Sequence, residues 1–144
     1  MGKKKVLFVC IHNSARSQMA EAFLNELAPD YFEAESAGIE PGSLNPIVVN
    51  AMNDLGIDIS LNKTKSVQGF IDAKRAYDYI ITVCDEASTE RCPIFPGQGK
   101  RVHMGFEDPS SLGGGDEEKF KQTIVIRDQI KTKLQHWIEE HKYD

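Results

Sequence analysis

The chain has 144 residues, of which 40% are apolar and 27% charged, and it carries a formal net charge of −5. Its length suits one domain, residues 1–144, that removes roughly 70% of its unfolded surface from water. Its composition excludes a disordered tail or a fibrous repeat, and its acidic balance argues against a general nucleic-acid binder, which needs a basic face for phosphates. The apolar stretches at 6–11 and 79–84 fall far short of a bilayer span, and the lysines at 3–5 precede too short an apolar run for an export signal. The expected location is the cytoplasm. Three cysteines are too few, and odd in number, for a secreted disulfide scaffold.

Residues 5–10 form a continuous β-branched and aromatic run, the pattern of a strand covered on both faces. After a short polar loop, residues 17–27 place Met19, Ala20, Phe23, Leu24 and Leu27 at helical spacing, with Pro29 as the stop. Residues 33–39 read as a weaker strand. A helix is expected from Pro46, in its first turn, through Leu55, with Gly56 as its C-cap. A polar loop at 62–66 leads to a short helix at 67–76, and a buried strand at 77–83 delivers Cys84 to its carboxyl end. Two helical turns at 85–91, an irregular stretch at 93–99 and a fourth strand at 101–104 follow. Asp116 is expected to cap the last helix, where Phe120, Ile124, Ile130, Leu134, Trp137 and Ile138 recur at helical intervals. The charged ends at 3–5 and 139–144 are expected to be solvated. This alternation predicts a three-layer α/β fold, a four-stranded parallel sheet flanked by helices, with its ligand site at the carboxyl ends of the strands. Cys10, Cys84 and the loop holding Asp108 all fall on that edge.

Cys10 opens the pattern C-x5-R-S, in which Ile11, His12, Asn13, Ser14, Ala15, Arg16 and Ser17 lie between a buried strand and an amphipathic helix. A loop so placed can wrap backbone N–H groups around a tetrahedral oxyanion, with the helix terminus adding partial positive charge. The same field is expected to lower the pKa of the Cys10 thiol, while Arg16 clamps two oxyanion oxygens and the Ser17 hydroxyl bonds the thiolate. Asn13 tolerates a left-handed backbone and can tie the loop together through its amide. A cysteine ending a strand is by itself an ordinary core residue; Arg16 and Ser17 in this context make it a nucleophile. Seven residues between Cys84 and Cys92 are too many for a zinc pair, His12 and His103 read as loop or surface residues, and no metal site is expected. The glycines at 113–115 follow no strand and read as a flexible loop.

The run VCIHNSARSQMAEAF from Val9, the segment VCDEASTERCPIFPG holding Cys84 and Cys92, and GFEDP at 105–109 together resemble the thioredoxin-coupled arsenate reductases. That family shares the low-molecular-weight tyrosine phosphatase fold, and the resemblance spans nearly the whole chain. It implies a monomer that reduces arsenate to arsenite with thioredoxin as reductant and no tightly bound cofactor. Cys10 would be the nucleophile, Arg16 the oxyanion ligand, Asp108 the general acid, and Cys84 and Cys92 the second and third redox cysteines. The chemistry asks for such a set: thiolate attack gives an arsenate thioester on Cys10, Cys84 attacks the Cys10 sulfur to release arsenite, and Cys92 resolves the resulting disulfide. If 85–91 is helical, Cys84 and Cys92 stand about 12 Å apart, beyond the roughly 7 Å that a disulfide tolerates. Residues 84–99 are therefore expected to remodel on oxidation.

His12 and Ala15 stand where many relatives have glycine and cysteine. Some relatives bind potassium through residues matching Asn13, Glu21 and Ser36, but the further aspartate of that site is not evident near Lys65 and Ser66. Two other functions fit the same residues. A low-molecular-weight protein tyrosine phosphatase would use Cys10, Arg16 and Asp108 to hydrolyse phosphomonoesters, although Ser110 and Ser111 follow Pro109 where such enzymes usually carry an aromatic residue. A redox or oxyanion sensor would oxidise once without turnover.

Overall fold

The computed structural model describes residues 2–84 and 95–144. The helical turns expected at 85–91, the start of the irregular stretch at 93–99, and Cys92 lie outside the described residues. Strand β1, Lys4–Cys10, is buried from Val6 onward. It pairs with β2, Phe32–Gly38, on one side and with β3, Tyr79–Thr82, on the other, and β4, Lys100–His103, lies beyond β3. All pairings are parallel, as the alternation of elements predicts, and the strand order is β2-β1-β3-β4.

Because side chains alternate along a strand, Val6, Phe8, Cys10, Tyr79, Ile81 and Val83 share one face, and Leu7, Val9 and Ile80 the other. The first face is covered by α1, Arg16–Leu27, α2, Pro46–Asn53, and α4, Asp116–His141, through Phe23, Leu24, Met52, Ile130 and Leu134. The second face receives α3, Val67–Asp72, through Val67 and Phe70. Three layers result, and a central strand apolar on both faces requires them. The chain passes from β1 to β2 on one side and later enters β3 on the other, so strand order reverses at β1 and β3. Ligand crevices in open α/β sheets form at the carboxyl ends of such a pair, and Cys10 is the last residue of β1.

Two local expectations need correction. Helix α3 stops at Asp72 and not at 76, because Lys74 turns left-handed at φ 58 and the amides of Lys74 and Arg75 close onto the carbonyls of Ile71 and Phe70. Gly115 occupies the N-cap of α4, so Asp116 is the first helical residue and joins Glu117 and Glu118 in complementing the helix dipole. The charged carboxyl-terminal end is solvated as expected, with Glu139, Glu140, Tyr143 and Asp144 exposed, and the Asp144 carboxylate accepts bonds from the Tyr79 hydroxyl and the His141 ring, at 2.5 and 2.7 Å. Among the described residues no helix is long and apolar enough to cross a membrane.

Candidate active site

Cys10 is 3% exposed at the end of β1, and the chain then loops through 11–15 into α1. The loop's carbonyls are drawn to one side. Those of Cys10, Ile11 and His12 accept from the amides of Ile39, Glu40 and Gly42 at 3.3, 2.8 and 3.0 Å, that of Ser14 accepts from Asn45 at 3.0 Å, and that of Asn13 accepts from the Gln18 side chain at 3.2 Å. A planar trans peptide points its C=O and the following N–H in opposite directions. The amides of Ile11, His12, Asn13, Ser14 and Ala15 therefore turn the other way, and that of Asn13 donates to Cys10 Sγ at 3.0 Å. Amides so arrayed at a helix N-terminus make a cradle for an anion.

Asn13 is fully buried at φ 53, the left-handed region that asparagine tolerates. Its Nδ2 donates to Ser17 Oγ at 2.8 Å, and its Oδ1 accepts from the Lys65 amide at 2.9 Å and from Gln18 Nε2 at 3.1 Å. Ser17 Oγ and Cys10 Sγ share a hydrogen at 2.8 Å. Arg16 Nη1 donates to the Phe106 carbonyl at 3.0 Å, and Nη2 lies 3.7 Å from Asp108 Oδ2. Asp108 also accepts from the Ser110 amide and so caps a 3-10 turn at Pro109–Ser111. Asn45 links both loops, through its amide to Ser14 and its Nδ2 to Ser110 Oγ at 2.9 Å.

The direction of the Cys10 pKa corrects the expectation. Burial pushes the thiol above its ordinary value, and the opposing pulls of the Ser17 hydroxyl, the Asn13 amide and the Arg16 charge do not outweigh it. The pattern C-x5-R-S displays the groups that favour the anion and conceals the depth at which the sulfur lies.

The structure brings Cys10, Asn13, Arg16, Ser17 and Asp108 together. Cys84 follows β3, fully buried, beside the level at which the Val83 amide bonds Val9, and neither it nor Cys10 is disulfide-bonded. His12 stands outside the cradle with Nδ1 donating to the Glu40 carbonyl at 3.0 Å, and Ala15 is buried in the core.

Sequence reasoning missed three contributors. At Gly38 a Cβ would lie 2.6 Å from Ile11 O and 2.8 Å from Asn13 N, so the loop requires a bare backbone there. A glycine ending a strand was the available signal. Gln18 is fully buried and braces Asn13, and no spacing rule announces it. The third is Lys65, whose ammonium stands 3.1 Å from Glu21 Oε1, the oxygen to which Ser36 Oγ donates at 2.9 Å. These residues do not fit a potassium ion, because a cationic side chain already sits on the carboxylate that would hold it. Among the described residues no group of three or more His, Cys, Asp or Glu side chains is placed to hold a metal.

A family model for low molecular weight phosphotyrosine protein phosphatase matches residues 5–144. An arsenate reductase from Shouchella clausii is 40% identical over 139 residues, 96% of this chain and 98% of the relative. Among solved structures, an arsenate reductase in the phosphate binding state is 30% identical with a TM-score of 0.77, covering 95% of this chain and 98% of that one. A thioredoxin-dependent arsenate reductase from Corynebacterium glutamicum is also 30% identical, with a TM-score of 0.59, covering 92% of this chain and 62% of that one.

Proposed function

We propose that this chain, which belongs to the low molecular weight phosphotyrosine protein phosphatase family and within it to the arsenate reductases, reduces arsenate to arsenite through a relay of three cysteines with electrons from thioredoxin. The observation that carries the reading is the sulfur of Cys10 beneath a cradle of inward amides, bonded by the Asn13 amide and the Ser17 hydroxyl, in a chain so similar to named arsenate reductases. Arsenate enters the cradle, and Arg16 exchanges its Phe106 and Asp108 contacts for two oxyanion oxygens, a planar fork suited to them. The proton on the buried Cys10 thiol passes to the incoming dianion. Sulfur attacks arsenic, and Asp108 protonates the oxygen that leaves as water.

The Cys84 thiolate then attacks the Cys10 sulfur. The electron pair of the sulfur–arsenic bond goes to arsenic, which leaves as arsenite, and Cys10 and Cys84 are joined by a disulfide. Attack by the Cys92 thiolate on the Cys84 sulfur expels Cys10 as thiolate and leaves a disulfide between Cys84 and Cys92 for the thioredoxin dithiol to reduce. The complete burial of Cys84 supports the expectation that this end of the site opens during the cycle. The chain needs no tightly bound cofactor for these steps.

The deciding experiment follows NADPH consumption with thioredoxin, thioredoxin reductase and arsenate, with phosphate as the control substrate. Sustained arsenate-dependent turnover is expected, lost in Cys92→Ser while hydrolysis of an aryl phosphate persists. No arsenate turnover alongside intact aryl-phosphate hydrolysis would assign the chain to phosphomonoester hydrolysis, and a single oxidation without turnover would make it a sensor.

A further inference from the structure

Glu21, Ser36 and Lys65 form a charged cluster beside the cradle that the chemical steps leave unused. We propose that the Lys65 ammonium is a built-in cation that positions the thiol loop where a bound monovalent metal ion would otherwise be needed, so that the reactivity of Cys10 is independent of potassium. The proposal rests on Cys10 being the reactive thiol.

Glu21 projects from α1 with its side chain 15% exposed, against the fully buried Ser36 of β2. A carboxylate at that depth requires a cation or a proton, and Ser36 supplies only a hydroxyl. Lys65 supplies the charge and is held at three points. Its Nζ meets Glu21, its carbonyl accepts from the Gly38 amide at 2.9 Å, and its amide donates to Asn13 Oδ1 at 2.9 Å. One residue thereby joins α1, the end of β2 and the thiol loop. Asn13 passes the constraint on, through its own amide to Cys10 Sγ and through Nδ2 to Ser17 Oγ, which bonds the same sulfur.

A tethered ammonium differs from a bound ion in two respects. Its occupancy does not depend on salt composition, and it repels a second cation from the Glu21 oxygen. Replacing it with a carboxylate would invert the site: in Lys65→Asp the introduced carboxylate, together with Glu21 and Ser36, would present an all-oxygen donor set, which suits a hard cation.

The test uses the full chain in its reduced form, with potassium chloride exchanged for choline chloride at constant ionic strength. Wild-type Tm and the rate of Cys10 alkylation by iodoacetamide should not change. Lys65→Met keeps the main-chain bonds and removes the charge. It should move the pH profile of alkylation upward and slow the reaction at pH 7 by about tenfold, the equivalent of one pKa unit, and Lys65→Arg should restore it. Lys65→Asp should acquire a rise in both Tm and alkylation rate with potassium that wild type lacks.

A potassium response in wild type, or a wild-type pH profile in Lys65→Met, would overturn the proposal. Should Lys65→Met fail to fold, the potassium titration of Lys65→Asp decides, and a flat response there overturns it. None of these readouts uses arsenate or thioredoxin, so failure of the reductase reading leaves them interpretable.

Discussion

Four groups favour the anion of the Cys10 thiol, the Ser17 hydroxyl, the Asn13 amide, the Arg16 charge and the Ser17 amide, and burial still holds it protonated above the ordinary thiol range. Alkylation of the anion-free protein should therefore keep rising through pH 9 without a plateau near neutrality. Ser17 is the largest of the opposing pulls. Ser17→Ala should shift the profile to still higher pH and slow alkylation at pH 7 by roughly 2–10-fold, the equivalent of one hydrogen bond of about 0.5–1.5 kcal/mol. Superimposable profiles for the two proteins would mean that the Ser17 contact does not act on the thiolate. At this scale the sequence was legible wherever a residue type has a particular conformational use, as with Asn13, whose left-handed backbone and loop-tying amide follow from its residue type. It was silent where the role comes from distance. Nothing local to Gln18 or Lys65 indicates that residues 44 positions apart in the chain will bond, as Gln18 does with Asn62 and Lys65 with Glu21.

Helix α2 begins as its sequence says it should: Pro46 takes the first turn, and the Asn45 side chain accepts from the amides of Ile47 and Val48. It ends two residues earlier than expected, at Asn53 with Asp54 as its C-cap, and the expected glycine then turns the chain, with Gly56 at φ 77 and the amides of Gly56 and Ile57 bonded to the carbonyls of Asn53 and Met52. The end of α3 was not legible, because it is set by tertiary partners. Arg75 lies over the Phe70 ring, 4.3 Å from its centre, and pairs with Glu35 of β2, which draws the chain out of helix toward β3. Asn45 also bridges the thiol loop and the Asp108 loop, and the two roles separate by mutation. Asn45→Ala should cost about 1 kcal/mol through the lost cap, or a fall in Tm of about 4 °C, and should lower kcat. Ser110→Ala removes only the bridge, so it should lower kcat and leave Tm unchanged. A kcat untouched in both would confine Asn45 to capping.

Across the molecule, the order β2-β1-β3-β4 gathers Cys10, Arg16 and Asp108 at one edge, while the opposite requirement, a closed core, buries groups that titrate. The layering was legible because apolar runs and helical spacing report burial directly; the protonation of the core was not, because it depends on what packs above each strand. Tyr79 is pushed up to about 12 by burial and then by its bond to Asp144, and Tyr77 is raised by burial and by Glu35. Cys10 moves the same way. Above the ordinary values of these groups the unfolded chain releases protons that the folded chain retains, so stability falls as pH rises. It should be undiminished up to about pH 8, below the ordinary range of thiols and tyrosines, and should decline progressively through about pH 10 and 11. Urea midpoints measured across that span test this, with Tyr79→Phe as the partner experiment. The variant keeps the ring against Trp137 and removes the titrating hydroxyl, so its midpoint should decline less steeply than that of wild type. Parallel declines would show that the alkaline loss arises elsewhere in the core.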